Sequence, residues 1–266
     1  MSATIARRPR FVAGNWKMHR TASEGAALAR EFVALAATDP LAKRCEVVIC
    51  PPFTALAAVG EALRALAGSG MHLGAQNLHP ELQGAFTGEV SGPMLKAAGC
   101  TFVIVGHSER RHVIGESDAQ VAAKLRAALR DGLTPIVCIG ETLAEREGNK
   151  TADVLVRQLA AAYAGLDAAT AAATVVAYEP VWAIGTGKVA SPEQARDAHR
   201  VARATLDQVV GAGAGSAACI LYGGSVNAGN AATLFAEDEI DGALVGGASL
   251  EAASFWKIVA AASARP

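Results

Sequence analysis

Eight short apolar runs, separated by longer Ala-rich amphipathic segments, limit the possible folds of this chain more than any other feature. The runs cover residues 11–14, 45–50, 72–77, 101–106, 134–140, 174–178, 218–223 and 242–246. Most of them are apolar almost throughout, which is typical of parallel strands covered on both faces. The segments between them predict helices over residues 23–37, 54–67, 118–131, 151–164, 191–210 and 249–262, with shorter ones over 91–98 and 227–235. Eight such units at a mean spacing of about 33 residues predict one (β/α)8 barrel, with eight parallel strands and outer helices.

A doubly wound open sheet is the alternative architecture, and it usually carries a G-x-G-x-x-G motif after an early strand. The glycines of residues 211–215 follow a predicted helix instead, and Ser216 stands where the last glycine belongs. Residues 185–188 (GTGK) do not form a phosphate-binding P-loop, because Trp182 and Val189 occupy positions that this motif reserves for Gly and Ser/Thr. The barrel is therefore the favoured fold.

The eight strand–helix units predict a single domain at residues 11–266, after a short N-terminal extension of residues 1–10. The chain is 52% hydrophobic and 18% charged, with a net charge of −1. There is no basic excess for nucleic acid and no charged block for a membrane surface. The extension carries three arginines but lacks the apolar region of a signal peptide, and no apolar run approaches the roughly 18 residues that a membrane span needs. We expect no nucleic-acid partner and no membrane association.

The cysteines and histidines give no sign of a metal site. The five cysteines lie in or beside apolar runs without metal-ligand spacing, at positions 45, 50, 100, 138 and 219. Buried free thiols in a reducing cytoplasm are the expected state. His107 and His112 are five residues apart and do not form the H-E-x-x-H pattern of zinc enzymes.

The end of the sixth run predicts a base beneath a movable loop. Glu179 follows the apolar run directly, and Pro180 after it cannot extend a strand ladder. The next residues mix bulky apolar side chains with two glycines, until Ser191 and Pro192 mark the start of a helix. The alternative is an ordinary strand-to-helix connection with a surface glutamate.

Two other strand ends carry polar side chains. Asn15 and Lys17 follow the first strand, and alternation points them in the same direction, where they could hold an anionic substrate. A solvated lysine is the alternative. His107 ends the fourth strand where a helical turn begins, and a helix N-terminus disfavours imidazolium. We therefore expect a neutral ring that donates a hydrogen bond, with a purely structural histidine as the alternative.

Glycine pairs follow the seventh and eighth strands, at residues 223–224 and 246–247, and both precede predicted helices. Backbone N–H groups at such turns can bind phosphate, and barrels often place phosphate there. Together with a carboxylate, an imidazole and an ammonium group, these turns suit proton abstraction next to the carbonyl of a small phosphorylated substrate.

Four motifs resemble the triosephosphate isomerase family, in that family's order, and the resemblance extends over about residues 11–262. They are GNWKM at 14–18, GHSER at 106–110, YEPVWAIGTG at 178–187 and YGGS at 222–225. The resemblance implies interconversion of dihydroxyacetone phosphate and D-glyceraldehyde 3-phosphate through an enediolate, in glycolysis and gluconeogenesis, without a cofactor. The family is itself a standard example of a carboxylate base paired with a neutral histidine.

The resemblance also implies a role for each site residue. Glu179 would be the base, neutral His107 the electrophile and Lys17 the electrostatic stabiliser. Asn15 would help to orient the substrate, and Glu109 would pair with Lys17. The phosphate would be held by backbone N–H groups of Gly185, Ser225, Gly246 and Gly247.

A lid and a dimer contact are implied as well. Residues 181–190 would form the lid, with Tyr222 and Glu141 as its contacts, and Val189 departs from the usual Thr at the lid's second hinge. The family is typically dimeric. The loop of residues 76–89 resembles its dimer loop, and Thr87 would enter the partner's site near Asn15 and Lys17. Ile114 stands where the family commonly has an aromatic residue.

Two rival functions remain. A Schiff-base aldolase would use Lys17 as its nucleophile, and borohydride would then trap a triose phosphate on the chain. A barrel that binds phosphosugars or acts in adhesion without turnover belongs to a different class, and an isomerase assay would distinguish it.

Overall fold

The structure, a computed structural model, describes residues 8–64 and 71–264 and contains a closed barrel of eight parallel strands in the order β1 to β8. The strands are β1 (Arg10–Asn15), β2 (Cys45–Cys50), β3 (Met71–Ala75), β4 (Phe102–Val105), β5 (Thr134–Ile139), β6 (Val175–Tyr178), β7 (Cys219–Tyr222) and β8 (Gly242–Val245). Each coincides with one predicted run, and no end differs by more than two residues. The predicted (β/α)8 barrel is confirmed, and the open sheet is wrong.

The barrel closes because β1 pairs in parallel with both β2 and β8. At its centre, Val12 lies opposite Val47 on one side and Ala243 on the other. Gly242 allows this closure, since a Cβ there would lie 1.6 Å from the carbonyl oxygen of Phe11. With every strand running the same way, all eight carboxyl ends open onto one mouth.

In the described part of the chain the helices surround the strands; eight of them lie on predicted segments and one on the helical turn expected after His107, whereas the short helices at Leu143–Glu147, Ala168–Ala172 and Ala214–Ala217 were not predicted. The helices are α1 (Ala22–Thr38), α2 (Leu56–Arg64), α3 (Gly92–Ala97), α4 (Ser108–His112), α5 (Asp118–Arg130), α6 (Leu143–Glu147), α7 (Thr151–Tyr163), α8 (Ala168–Ala172), α9 (Pro192–Val209), α10 (Ala214–Ala217), α11 (Ala231–Phe235) and α12 (Ala252–Ala264). Short 3-10 turns occupy Ala42–Arg44, Phe53–Ala55, Val181–Ala183 and Gly247–Leu250. The helix start expected at Ser191 is present: its hydroxyl accepts from Gln194 N, and the Gln194 side chain accepts from Ser191 N.

Parts of three predictions fall outside the described residues. These are residues 1–7 of the N-terminal extension, the last residues of the helix predicted at 54–67, and the end of the domain at 265–266. Arg10, which we assigned to the extension, begins β1 instead. Arg8 forms an ion pair with Asp241, with 2.7 Å between Nε and Oδ1.

The core has two layers, and this explains why the strands are apolar on both faces. Inside the barrel, a cluster of buried side chains includes Phe11, Ile104, Ile136 and Leu221. A larger cluster lies between the strands and the helices. Each strand thus contributes side chains to both layers, and polar residues collect where the strands end.

Candidate active site

A cavity of about 350 Å³ opens at the carboxyl ends of the strands. It is lined by Asn15, Lys17, His107, Glu179, Ile184, Gly185, Gly223, Gly224, Ser225, Val226, Asn227, Leu244, Gly246, Gly247 and Ala248. The barrel thus brings residues from β1, β4, β6, β7 and β8 to one place. All of the predicted substrate-binding residues line the cavity. Glu109 lies just outside it, against Lys17.

Glu179 leaves β6 at its carboxyl end and is held from several sides. Its backbone N–H donates to the carbonyl of Ile139 at 2.7 Å. Its side chain is buried, with Oε1 2.9 Å from His107 Nε2 and Oε2 accepting from Ser108 N at 2.8 Å. Burial by itself raises the pKa of Glu179, but attraction to His107 and the two hydrogen bonds outweigh it, and the pKa lies below its ordinary value. The carboxyl group is therefore ionised at neutral pH.

His107 stands at the N-cap of α4, where its Nδ1 accepts a hydrogen bond from Glu109 N at 3.2 Å. Because Nδ1 is an acceptor, the ring proton lies on Nε2 and points at Glu179 Oε1. Burial by itself lowers the pKa of His107, but the Glu179 carboxylate raises it by more, and the net direction is upward. This direction is opposite to the effect that we expected from the helix N-terminus. The reason is a direct carboxylate contact that comes from another strand.

Lys17 adopts a left-handed backbone conformation, with φ of 51°. Two side chains stabilise this unusual conformation: Asn15 Oδ1 accepts from Lys17 N at 3.0 Å, and Gln76 Nε2 donates to Lys17 O at 2.8 Å. The Lys17 ammonium lies 2.6 Å from Glu109 Oε1, so the ion pair that the resemblance implies is present. The two hydrogen bonds to its backbone and the neighbouring carboxylate together hold this cation at the edge of the cavity.

Glycine-rich turns form the opposite wall of the cavity. At Gly224 a Cβ would lie 2.2 Å from the Tyr222 hydroxyl, and at Gly223 it would lie 2.8 Å from the Glu179 side chain. A single 3-10 turn, Gly247–Leu250, begins directly after Gly246. The first N–H groups of such a turn have no partner within it. The glycines therefore bring backbone close to the cavity without filling it.

The predicted lid, residues 181–190, is held at its two ends and exposed between them. Ala183 and Ala190 are buried, whereas residues 185–189 are exposed, including Val189 at the second hinge. At the first hinge, Val181 N donates to the carbonyl of Glu141 at 3.0 Å. Trp182 Nε1 donates to Glu141 Oε1 at 2.9 Å, and the guanidinium of Arg146 lies 4.8 Å from the centre of the Trp182 ring.

Glu141 and Tyr222, the two predicted lid contacts, lie at opposite ends of this loop. Glu141 is fully buried, and its Oε1 also accepts from the Tyr178 hydroxyl at 3.1 Å. The Tyr222 hydroxyl lies near the backbone amide of Ala190 without a well-formed hydrogen bond to any described residue. Burial raises the pKa of Tyr222 to about 12 against the lowering effect of that amide. The two side chains thus lie against the two ends of this segment.

The sequence did not predict three residues whose hydrogen bonds fix the positions of other residues in or near the site. Ser108 contributes a backbone N–H to Glu179, and Gln76 fixes the carbonyl of Lys17. Arg111 joins the ends of β4 and β5, because its guanidinium donates to Gly106 O at 2.8 Å and to Cys138 O at 3.1 Å. These contacts reach backbone atoms of distant segments, and no local sequence pattern announces them.

Residues 8–64 and 71–264 contain neither a cluster of candidate metal ligands nor a helix that could span a membrane. In this part of the chain, no group of three or more His, Cys, Asp or Glu side chains could hold a metal ion. No helix among the same residues has the length and apolarity to cross a membrane.

Thr87 is exposed and does not line the cavity of its own chain.

The closed barrel, with its cavity at the carboxyl ends of the strands, is the architecture of the (β/α)8 barrel enzymes. The family model described as triosephosphate isomerase matches residues 10–262. The chain therefore belongs to the triosephosphate isomerase family, which consists of intramolecular aldose–ketose isomerases.

Known triosephosphate isomerases are similar to this chain along almost their whole length. The enzyme of Syntrophotalea carbinolica is 52% identical over 253 residues, covering 95% of this chain and 98% of the relative. That of Moorella thermoacetica is 53% identical over 253 residues, with the same coverage of 95% and 98%. That of Thiobacillus denitrificans is 54% identical over 259 residues, covering 96% of this chain and 99% of the relative.

Proposed function

We propose that this chain interconverts dihydroxyacetone phosphate and D-glyceraldehyde 3-phosphate through an enediolate, without a cofactor. The observation that carries the proposal is the contact of Glu179 with His107, 2.9 Å apart in a cavity whose other wall consists of glycine turns. The names of the relatives supply the substrate class. The reaction moves one proton between neighbouring carbons and another between their oxygens, which needs one base and one hydrogen-bond donor.

Glu179 serves as the base in this proposal. Its lowered pKa supports an ionised carboxylate at neutral pH, ready to accept a proton. To reach a substrate carbon, the carboxylate must leave His107 Nε2 and Ser108 N, its two present partners. It takes a proton from one carbon and returns it to the adjacent carbon.

His107 serves as a neutral electrophile. When Glu179 turns to the substrate, the Nε2–H group of His107 loses its carboxylate partner and can donate to the substrate oxygens. His107 also transfers the proton from one substrate oxygen to the other. The same movement weakens the attraction to the Glu179 carboxylate, which raises the pKa of His107, whereas burial, which lowers this pKa, remains. The hydrogen bond from Glu109 N favours the ring form in which Nδ1 carries no proton. Substrate binding therefore favours the neutral ring that the sequence predicts.

Lys17 supplies positive charge to the developing enediolate, with Asn15 and Glu109 in supporting roles. A fixed cation in a site that excludes water stabilises charge that appears in the transition state. Two contacts support a fixed position for this cation: the ion pair with Glu109 and the hydrogen bond from Lys17 N to Asn15 Oδ1.

Backbone N–H groups of Gly185, Ser225, Gly246 and Gly247 hold the phosphate in this proposal. All four residues line the cavity, and Gly185 also belongs to the lid. A phosphate that binds Gly185 therefore favours closure of residues 181–190. Closure excludes water, strengthens the charges inside and protects the enediolate from loss of phosphate.

The active form is a homodimer in which the loop of residues 76–89 contacts the partner. Thr87 then reaches the partner's cavity near its Asn15 and Lys17. Exposed apolar side chains on the loop, Leu82 and Phe86, and the 93% exposed Met18 support such a contact. The five cysteines are buried free thiols, which supports a cytoplasmic location.

A coupled assay with D-glyceraldehyde 3-phosphate tests the proposal, and we expect rapid formation of dihydroxyacetone phosphate by the purified chain. Borohydride together with triose phosphate should leave Lys17 unmodified, because no Schiff base forms. Phosphosugar binding without turnover would favour the binding protein instead, and a trapped adduct on Lys17 would favour the aldolase. Sedimentation of the chain as a monomer at assay concentration would contradict the dimer.

A further inference from the structure

We propose that Gln158 is a positioning residue that sets the location of the base Glu179 and of the first lid hinge, through the backbone of Gly140. The inference rests on the proposed isomerase function. Gln158 does not line the cavity, and it acts through two hydrogen bonds to one glycine.

Gln158 is a polar residue on the apolar side of α7, between Leu155 and Leu159, and only 4% of it is exposed. Its Oε1 accepts from Gly140 N at 2.7 Å, and its Nε2 donates to Gly140 O at 3.3 Å. Both backbone groups of Gly140 are therefore satisfied by one side-chain amide. A buried backbone group that loses its partner is costly, so this contact fixes Gly140.

Gly140 lies where β5 ends, and the residues on either side of it bind the segment that follows β6. Ile139 O accepts from Glu179 N at 2.7 Å, and Glu141 O accepts from Val181 N at 3.0 Å. Gly140 itself lies so close that a Cβ on it would be 1.8 Å from the carbonyl oxygen of Glu179. A movement of Gly140 must therefore move both the base and the first residue of the lid.

An amide suits this position because it offers one donor and one acceptor in a fixed geometry. No other side chain of that length presents both without carrying a charge. Gln158 supplies the hydrogen bonds that a neighbouring strand would otherwise give to Gly140. The signal in the sequence is a single polar residue within the apolar stripe of a helix.

The test replaces Gln158 by Met, which keeps length and apolar bulk and removes both hydrogen bonds. Misplacement of a reacting group by about 1 Å can cost about 100-fold in rate, so we expect kcat to fall about 10- to 100-fold. Proton transfer becomes the slow step, and the kinetic isotope effect with substrate deuterated at the reacting carbon increases. Binding of glycerol 3-phosphate, a probe without the carbonyl, stays within about threefold, because three of the four residues proposed to bind phosphate, Ser225, Gly246 and Gly247, follow β7 and β8 and lie outside the lid.

Leu155→Ala is the matched control, since Leu155 is fully buried on the same helix and lies outside the site. We expect it to lower the melting temperature at least as much as Gln158→Met and to leave kcat and the isotope effect unchanged. The proposal is overturned when Gln158→Met loses stability but keeps wild-type kcat and isotope effect. If Gln158→Met does not fold, Gln158→Asn takes its place. Its shorter amide either displaces Gly140 towards α7 or loses the hydrogen bonds to Gly140. Wild-type kinetics in Gln158→Asn overturn the proposal equally.

Failure of the proposed function would be recognised separately, as absence of isomerase turnover in the wild-type chain. Positioning is then read from the backbone amide resonances of Glu179 and Val181. They shift in Gln158→Met and not in Leu155→Ala if Gln158 acts through Gly140. Unchanged resonances in both variants refute the inference.

Discussion

Replacement of Glu179 by Gln gives the sharpest test of the proposed mechanism. The side chain keeps its size, and the Gln amide cannot accept a proton from carbon. Positioned proton transfer contributes roughly 10²–10⁴-fold to a rate. At about 1.4 kcal/mol for each factor of ten, this corresponds to about 3–6 kcal/mol of transition-state stabilisation. We expect kcat to fall by at least this factor, and phosphate affinity to change little.

The surroundings of Glu179 also predict a cost in stability. Ser108 N and His107 Nε2–H both donate to the carboxylate. A Gln amide has one oxygen, so it can accept from only one of them at good geometry, and its NH2 group then faces the other donor. A buried donor without a partner costs about 1–3 kcal/mol, and we expect the free energy of unfolding to fall by this amount.

The same variant should lower the pKa of His107, because the carboxylate that raises it is gone and burial remains. Three measurements follow: steady-state kinetics in the coupled assay, denaturant unfolding, and an NMR titration of the His107 ring. Glu31→Gln is the control, since Glu31 is exposed on α1 and does not line the cavity, and it should leave kcat and the pKa of His107 unchanged. A Glu179→Gln enzyme with near-wild-type kcat, or a His107 ring whose pKa stays raised, would refute the assignment of Glu179.

The remaining predictions concern pH, the electrophile and the backbone. The ion pair of Glu179 and His107 should stabilise the fold most between pH 4.5 and 6.5, the ordinary pKa values of the two groups. The contribution of the pair is lost as pH falls through the lowered pKa of Glu179 and as pH rises through the raised pKa of His107. The difference in melting temperature between wild type and Glu179→Gln should therefore be largest in this pH window. A difference that stays constant from pH 4 to 9 would count against the pair. His107→Gln should lower kcat roughly 10²-fold or more with the fold retained by circular dichroism, and unchanged kinetics would exclude an electrophilic role. Gly140→Ala should lower the free energy of unfolding by about 3 kcal/mol or more, because its Cβ would lie 1.8 Å from Glu179 O, and a fully stable variant would contradict the close packing of β5 against β6.

Much of the fold could be predicted because its signals are local. Apolar runs of four to seven residues mark strands, and a helix start such as Ser191 depends on contacts within three residues. Once eight parallel strands are inferred, closure places their carboxyl ends at one mouth. The side chains that follow each strand are then neighbours, whatever their separation in the chain. For this reason the sequence predicts that Asn15, Lys17, His107 and Glu179 lie together.

The protonation of the site could not be predicted, because it depends on contacts between distant segments. His107 at a helix start indicated a neutral ring, but a carboxylate from another strand raises its pKa. Glu179 is 71 residues from Ser108, whose N–H helps to lower its pKa. Desolvation and Coulomb attraction act through space, and no pattern in the local sequence encodes their balance.

The sequence by itself determined the number and order of strands, the placement of most helices, and the identity of the polar groups at the strand ends. These follow from periodicity, capping and chain connectivity, which act over a few residues. Only the tertiary structure decided which groups touch: the carboxylate against the imidazole, the strained Lys17 held by Gln76, and Gly140 held by Gln158. Such contacts depend on sub-ångström packing of segments that are far apart in the chain.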